Sequence, residues 1–262
     1  MENRSYSRLM TKPLPQQLAS SCGLAANYHN LVHGSVQNYF AAVSGTLPAY
    51  NSACQLKACP QTATTVFEQL SDRGLTWRAY AESMVSNCQL TAEGDYAVRH
   101  NPAAYYTRIR QQCARWDVPL GDLQSGALAR DLQATRPPAF MMITPNLCDD
   151  MHDCTATTGL AWLHDWLSLL IASPSYRAGH MVVFLTWDEG TAAKHSPCQS
   201  TADPYCHVPT FVMSMYTTPG SRSTKLLTHY SLLGTTERLL GLPVLGHAYR
   251  AGDMRAAFGL SN

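Results

Sequence analysis

The segment HMVVFLTWDEG, residues 180–190, joins an apolar strand to two adjacent carboxylates. Met181 to Leu185 have the composition of a buried strand, and Asp188 and Glu189 follow almost directly. Side chains alternate between faces along a strand, so both acids reach one point only where the strand ends and the chain turns. Two carboxylates brought together repel each other unless a cation or a shared proton lies between them. The alternative is a solvated loop that carries two unrelated acids.

Predicted strands alternate with predicted helices on both sides of this segment. Further strands are expected at 75–83, 137–146 and 207–216, and helices at 35–45, 62–74, 120–134, 161–173 and 228–241. This alternation predicts an α/β fold with a mostly parallel sheet sandwiched by helices, as a single domain over residues 1–262. In such sheets the active site lies at the carboxyl ends of the strands.

Three polar clusters follow predicted strands: His33 to Ser35, Asn146 to Asp153, and the acidic pair Asp188-Glu189. Ser35 is the best nucleophile candidate, because the free N–H groups of a helix N-terminus suit an anion such as phosphate. The alternative is a plain N-cap serine. Its context, His-Gly-Ser-Val-Gln, is not a GxSxG elbow, which argues against an α/β-hydrolase esterase.

The second polar cluster is the densest group of potential ligands in the chain. It contains Asp149, Asp150, His152 and Asp153. Its alternative interpretation is an acidic loop closed by a disulfide. His207 and His229 are single histidines, and taken alone each is more typical of a packed or capping residue than of a ligand.

The composition is that of an ordinary globular protein. Of 262 residues, 45% are hydrophobic and 14% are charged, and the net charge is +1. Without a basic surplus, we expect no nucleic acid or anionic membrane as a partner. The longest apolar segment, 162–173, is interrupted by His164 and Asp165, so we expect no transmembrane segment.

The nine cysteines predict a disulfide framework. They contain no CxxC pair, which argues against a zinc ribbon or a thioredoxin-type site. Sequential pairing would close the local loops 54–59, 88–113, 148–154 and 198–206 and leave Cys22 over, although spacing alone does not fix connectivity. Disulfide-clipped loops favour an oxidising, extracytoplasmic location.

Several motifs occur together in the order found in the phosphoesterase family, which this chain resembles from residue 2 to about residue 250. They are MENRSYS, HGSVQNY, YAES, RHNP, TPNLCDDMHDC, TWDEG, VPTFV…PG and THYSLLGTTE. The family contains bacterial non-haemolytic phospholipases C and secreted acid phosphatases, including a phosphatidylinositol 3-phosphatase type, and belongs to the alkaline-phosphatase-like superfamily. The short chain is most similar to the acid phosphatase and phosphatidylinositol 3-phosphatase branch. The resemblance implies an alkaline-phosphatase-like fold and a secreted, periplasmic or cell-surface location.

The resemblance also implies roles for individual residues. The metal ligands would be Glu2, Asn3, Ser35, Asp188 and Glu189. The catalytic residues would be Ser35 as nucleophile, with His152 first and His33 second for proton transfer, and the residues near the phosphate would be Asn38, Asp153 and His229. Oxygen ligands favour Ca, Mg or Mn as the divalent cofactor, and histidines joining the site would favour Zn or Fe.

The implied activity is metal-dependent hydrolysis of phosphate monoesters through a phosphoserine intermediate. The partner would be a small phosphorylated substrate, with a phospholipid headgroup as one possibility. The alternatives are a phosphodiesterase of phospholipase C type and a truncated or decayed, non-catalytic family member.

Three departures from the family pattern bear on these expectations. The apolar strand that usually precedes the ENxS motif is absent, so we expect a missing first strand and a loosely held Glu2-Asn3 pair. Gly34 and Gln37 replace the prolines of HPSxPNY, which loosens the turn before the nucleophile. Leu160 stands where an aspartate is usual, which puts helix stability or substrate binding in doubt.

Overall fold

The computed structural model describes residues 1–49, 54–191, 198 and 203–260. Within these residues the α-helices are α1 (Tyr6–Leu9), α2 (Pro13–Ser21), α3 (Ser35–Ser44), α4 (Val66–Asp72), α5 (Arg110–Trp116), α6 (Ala127–Gln133), α7 (Ala156–Ala172), α8 (Pro174–Arg177) and α9 (His229–Leu239). The strands are β1 (Gly23–Ala25), β2 (Tyr28–His29), β3 (Trp77–Ala81), β4 (Asp117–Pro119), β5 (Phe140–Thr144), β6 (Val183–Thr186), β7 (Thr210–Met213), β8 (Arg222–Ser223) and β9 (Leu227–Thr228). Short 3-10 helices span Val98–His100, Pro102–Tyr105, Thr107–Ile109, Gly246–Arg250 and Ala256–Phe258.

The chain forms two compact units. The first unit combines Met1–Ser52 with Tyr176–Asn262, and the second is the intervening Ala53–Ser175. The second unit is therefore an insertion in the sequence of the first. A single functional domain over residues 1–262 stays a prediction.

The first unit is built on a four-stranded sheet in the order β6-β7-β1-β8, with β2 and β9 paired beside each other in a separate ladder. The β1–β8 and β2–β9 pairs are parallel, whereas β6–β7 and β7–β1 are antiparallel. The described part of the connection from β6 to β7 contains no helix, so it does not form the crossover that a parallel pair needs. Leu24, Tyr28, Phe40, Trp187 and Phe211 are among its buried apolar side chains.

The second unit holds a fully parallel sheet in the order β4-β3-β5. Its aromatic side chains pack closely, with the ring centroids of Phe67 and Trp77 4.6 Å apart and those of Trp77 and Trp116 5.4 Å apart. With parallel pairing predominant in the two units together, the predicted α/β fold is confirmed.

Most predicted elements are present, with ends set by local capping. The side chain of Thr65 accepts from the N–H of Glu68 at the start of α4, as the sequence predicts. The predicted helix at 161–173 begins earlier, at residue 156, because the hydroxyl of Thr155 caps it by accepting from the N–H of Thr158. Helices α1, α2, α5 and α8 were not expected from the sequence.

The predicted disulfide pairing is confirmed in full. The bonded pairs are Cys54–Cys59, Cys88–Cys113, Cys148–Cys154 and Cys198–Cys206. Cys22 is the free cysteine. In the described part of the chain, no helix combines the length and apolar character that crossing a membrane requires.

Candidate active site

The acidic pair lies just beyond β6, inside the first unit. Asp188 and Glu189 are each 6% exposed, so the solvated-loop alternative is wrong. The N–H of Asp188 donates to the carbonyl of Met1 at 2.9 Å, which aligns the start of the chain with the end of β6. Burial raises the pKa of Glu189, as does the negative charge of Asp188, against an opposing hydrogen bond from His33.

Ser35 opens helix α3 and meets two carboxylates. Its Oγ donates to Oε2 of Glu2 at 2.9 Å and lies 3.4 Å from Oε1 of Glu189. The preceding Gly34 has a φ of +151°, a conformation that side-chain-bearing residues rarely adopt, and its N–H donates to Oε2 of Glu189 at 2.9 Å. Two acids from distant parts of the sequence therefore converge on one serine at a helix N-terminus.

Glu2 and Asn3 are firmly held, so the expectation of a loosely held pair is wrong. Glu2 is fully buried, and its Oε1 accepts from the hydroxyl of Tyr39 at 2.6 Å. Asn3 has a φ of +49°, in the left-handed region that asparagine tolerates better than most residues. Its N–H lies 3.4 Å from Oδ1 of Asp188, and its carbonyl accepts from the hydroxyl of Thr191.

His33 and Asn38 hold the loop before Ser35. The Nδ1 of His33 donates to Oε2 of Glu189 at 3.0 Å, because a carboxylate oxygen only accepts. Asn38 is 1% exposed. Its Oδ1 accepts from the N–H of Leu31 at 3.0 Å, and its Nδ2 donates to the carbonyl of Val32 at 2.8 Å. These contacts fix the turn despite the loss of the two prolines.

The side chain of His229 hydrogen-bonds to the backbone of the acidic pair. It begins α9 and is 2% exposed, and its Nε2 lies 2.6 Å from the carbonyl oxygen of Asp188. Since that carbonyl only accepts, Nε2 carries the proton and Nδ1 accepts from the hydroxyl of Tyr28 at 3.1 Å. Burial lowers the pKa of His229, which favours this neutral form.

The remaining predicted site residues, His152 and Asp153, belong to the second unit. The Nδ1 of His152 donates to Oδ1 of Asp153 at 2.5 Å, and the guanidinium of Arg99 lies 3.3 Å from Nε2. Because an arginine only donates, Nε2 is the acceptor and the imidazole proton is on Nδ1. Asp153 therefore fixes the tautomer of His152.

A buried ion pair supports this part of the second unit. The Nδ1 of His100 and Oδ2 of Asp150 are 3.0 Å apart, and both side chains are almost fully buried. Burial raises the pKa of Asp150 to about 6. Between Asp150 and His152, Met151 is buried with a φ of +81°, a sparsely populated conformation of the kind that clusters at functional sites.

The oxygen atoms around Ser35 fit a divalent cation. The carboxylates of Glu2 and Glu189 and the hydroxyl of Ser35 form a hard donor set. The Oδ2 of Asp188 is buried and has no hydrogen-bond partner among the described residues, which is expensive for a carboxylate oxygen unless a cation or water faces it.

Three residues that contact the predicted site residues were not themselves predicted from the sequence. Tyr39 lies four residues after Ser35 on α3, and this spacing places both on one helix face toward Glu2. Arg99 lies in the RHNP motif quoted above, and its positive charge is the sequence feature that could have identified it. Tyr28, in a two-residue strand, had no sequence signal.

Comparison with known proteins gives one family and several relatives. A model of the Phosphoesterase family matches residues 4–243. An acid phosphatase of Aspergillus fumigatus is 28% identical over 94% of this chain and 54% of its own length. A phosphatidylinositol-3-phosphatase of Mycobacterium tuberculosis is 24% identical over 98% of this chain and 80% of its own. A phosphate-repressible acid phosphatase of Penicillium chrysogenum is 25% identical over 94% of this chain and 58% of its own. The chain thus spans little more than half of the two fungal relatives.

Solved structures with the same fold are remote in sequence. A protein of the alkaline phosphatase superfamily from Vibrio parahaemolyticus has a TM-score of 0.61 at 10% identity, covering 94% of this chain and 65% of its own. The lipoteichoic acid synthase LtaP from Listeria monocytogenes has a TM-score of 0.59 at 10% identity, covering 97% of this chain and 71% of its own. The fold is therefore that of the alkaline phosphatase superfamily, as the sequence resemblance implies.

Proposed function

This chain belongs to the phosphoesterase family, and from that premise we propose that it hydrolyses phosphate monoesters with Ser35 as the nucleophile. The observation that carries the proposal is the hydrogen bond from Ser35 Oγ to Glu2, with Glu189 3.4 Å away, at the N-terminus of α3. A serine that donates to a buried carboxylate has a group at hand to take its proton. The names of the two fungal acid phosphatases and of the mycobacterial phosphatase support a monoester substrate.

We assign a divalent cation to the same oxygen atoms. Glu2, Asn3, Ser35, Asp188 and Glu189 would hold it, and the buried, unpartnered Oδ2 of Asp188 is the observation that fits this assignment. The hard donor set favours Mg, Ca or Mn. When bound, such an ion supplies neutralisation of phosphoryl charge and a lower pKa for the serine hydroxyl.

The residues of the chain then divide the reaction as follows. The Oγ of Ser35 attacks phosphorus and passes its proton to a neighbouring carboxylate, while the ester P–O bond breaks and the alcohol departs. The N–H groups at the start of α3 stabilise the phosphoryl oxygens. Water then cleaves the resulting phosphoserine and frees inorganic phosphate and Ser35. The sequence resemblance implies His152 for the proton transfer of this step, and Asp153 fixes the tautomer of His152.

Several predicted residues take supporting roles in this proposal. His33 holds Glu189, Asn38 holds the turn before Ser35, and His229 holds the backbone at Asp188. Each of these side chains is buried. They would set the positions of the reacting groups, in place of the direct phosphate contacts that the sequence resemblance implies for Asn38 and His229.

The substrate class has one further specific support. The mycobacterial relative, covered over 80% of its length, is named for a phosphatidylinositol phosphate, so a phospholipid headgroup is the second candidate substrate. Four disulfides support a secreted or periplasmic location.

The test is release of p-nitrophenol from p-nitrophenyl phosphate by the purified chain, before and after chelation of divalent metals. We expect turnover that falls on chelation and returns with Mg²⁺ or Mn²⁺. Ser35→Ala should lower kcat by about three orders of magnitude or more, as loss of a nucleophile does elsewhere. Ser168→Ala, which removes an exposed hydroxyl on α7, is the matched control and should change nothing.

Three results would contradict the proposal. Equal activity of Ser35→Ala and the unaltered chain would remove Ser35 from the chemistry. Faster release from bis(p-nitrophenyl) phosphate than from the monoester would favour the phosphodiesterase of phospholipase C type. Absence of turnover on both substrates would favour a non-catalytic family member.

A further inference from the structure

We propose that the Cys198–Cys206 disulfide positions part of the active site. Its sulfur atoms contact His33 and Asn30, and these two side chains in turn hydrogen-bond to Glu189 and Gly190. The inference rests on the proposed function for its catalytic consequence, but the geometry concerns the first unit alone. Of the four disulfides, this pair is the one whose sulfur atoms contact His33 and Asn30. Neither cysteine has a role in the family resemblance described above.

The first link runs through His33. Its Nε2 lies 3.5 Å from Sγ of Cys206, while its Nδ1 donates to Oε2 of Glu189 at 3.0 Å. Cys206 is fully buried and His33 is 5% exposed, so the imidazole is confined between the disulfide and the carboxylate. The position of Cys206 therefore limits where Glu189 lies relative to Ser35.

The second link runs through Asn30. Its Nδ2 lies 3.2 Å from Sγ of Cys198, and its Oδ1 accepts from the N–H of Gly190 at 3.3 Å. Asn30 is 2% exposed. The two sulfur atoms of one disulfide thus contact two side chains that bind adjacent residues at the end of TWDEG.

Backbone contacts reinforce both links. The N–H of Asn30 donates to the carbonyl of Cys206 at 3.0 Å, and the N–H of Cys198 donates to the carbonyl of Leu31 at 3.1 Å. A Cβ on Gly190 would clash with the carbonyl oxygen of Tyr205, so the backbone next to Cys206 packs directly on the glycine. Opening the disulfide would release Tyr205 and Cys206, which pack against Gly190 and His33.

The test is hydrogen–deuterium exchange at three amides that report the geometry. The N–H of Gly34 donates to Glu189, that of Glu189 to Asp188, and that of Gly190 to Asn30. Exchange is measured on the metal-free protein, so the result depends neither on a bound ion nor on turnover. Slow exchange at these amides requires that their hydrogen bonds stay formed.

The variant is Cys198→Ala with Cys206→Ala, and the matched control is Cys54→Ala with Cys59→Ala. The two disulfides close loops of similar length, with sequence separations of 8 and 5, so the chain-entropy model predicts similar losses of stability. We expect exchange at the three amides to rise about tenfold in the first variant only. With p-nitrophenyl phosphate, kcat should fall by about tenfold while KM changes less than about twofold.

Unchanged exchange at all three amides in the Cys198→Ala, Cys206→Ala protein would overturn the proposal, as would an equal rise in the control. If this variant does not fold, the same amides are measured on the folded, oxidised protein before and after a pulse of dithiothreitol. The reduced pair is identified by alkylation and peptide mass. If exchange at the three amides is unchanged while Cys198 and Cys206 are reduced, the proposal is overturned. An inactive wild-type chain would refute the proposed function, whereas the exchange comparison would still decide this inference.

Discussion

Replacing His229 tests whether the backbone of the acidic pair needs its histidine support. His229→Leu removes the donor that lies 2.6 Å from the Asp188 carbonyl and the acceptor for the Tyr28 hydroxyl. A buried carbonyl that loses its partner costs about 1–3 kcal/mol. The Tyr28 hydroxyl loses only one of its partners, because it also bonds the side chain of Thr186, so it contributes less. The total loss of unfolding free energy is about 3 kcal/mol.

This loss predicts specific changes in thermal stability and rate. For a chain of this size, each kcal/mol lowers Tm by about 2–4 °C, so His229→Leu should lower Tm by about 6–12 °C. It should also lower kcat about tenfold, because the peptide bond joining Asp188 to Glu189 is no longer held. His229→Gln keeps a side-chain N–H donor and should lose about 1 kcal/mol.

The assays are thermal unfolding followed by circular dichroism and p-nitrophenyl phosphate kinetics on the same preparations. The control is His164→Leu, because the side chain of His164 is exposed on α7 and its pair with Asp165 contributes little to stability. If His229→Leu matched the wild-type Tm to within about 1 °C and the wild-type kcat to within about twofold, the supporting role of His229 would be refuted.

Two further predictions concern the second unit. Burial raises the pKa of Asp117 to about 7, so the folded state keeps this proton while the unfolded state loses it near pH 4, and stability falls between about pH 4 and 7. In urea unfolding, Asp117→Asn should therefore have nearly the wild-type free energy of unfolding at pH 4 and exceed it by about 2–4 kcal/mol at pH 8. An equal difference from wild type at both pH values would contradict the titration of Asp117 as the cause. Asp153→Asn should lower kcat about tenfold with little change in KM, because the tautomer of His152 is no longer fixed. Asp165→Asn alters the surface His164–Asp165 pair and is its control, and equal kinetics of the two variants would show that Asp153 is dispensable.

The sequence allowed the strand ends and the local loops to be predicted because their signals are local. An apolar run followed by TWDEG identified β6 and its acidic end, and helical spacing after Ser35 identified α3. Neighbouring cysteines pair sequentially, as predicted. Three of the pairs close short loops, with sequence separations of 5, 6 and 8, whereas Cys88–Cys113 has a separation of 25.

Other features depend on contacts that leave no periodic pattern. Helix α5, RQQCARW, buries only Cys113, so its sequence shows no apolar face from which a helix could be predicted. The Cys88–Cys113 disulfide attaches it to the rest of the second unit. The antiparallel β6–β7 pairing depends on the course of a long connection, which residue spacing does not encode. The roles of Tyr28 and Tyr39 follow from the partners of their hydroxyls, and those partners are far away in the sequence.

The interrupted first unit has a consequence during synthesis on the ribosome. Met1–Ser52 emerges before the rest of the first unit, yet the strands and helix that complete its sheet and its site belong to Tyr176–Asn262. At about 5–20 residues per second, synthesis of the intervening Ala53–Ser175 lasts about 6–25 s. Throughout that interval Leu24, Tyr28 and Phe40, buried in the finished protein, lack the partners that cover them. These exposed apolar side chains favour aggregation of the nascent chain, and Ser35 meets Glu189 only after the whole insertion has been synthesised.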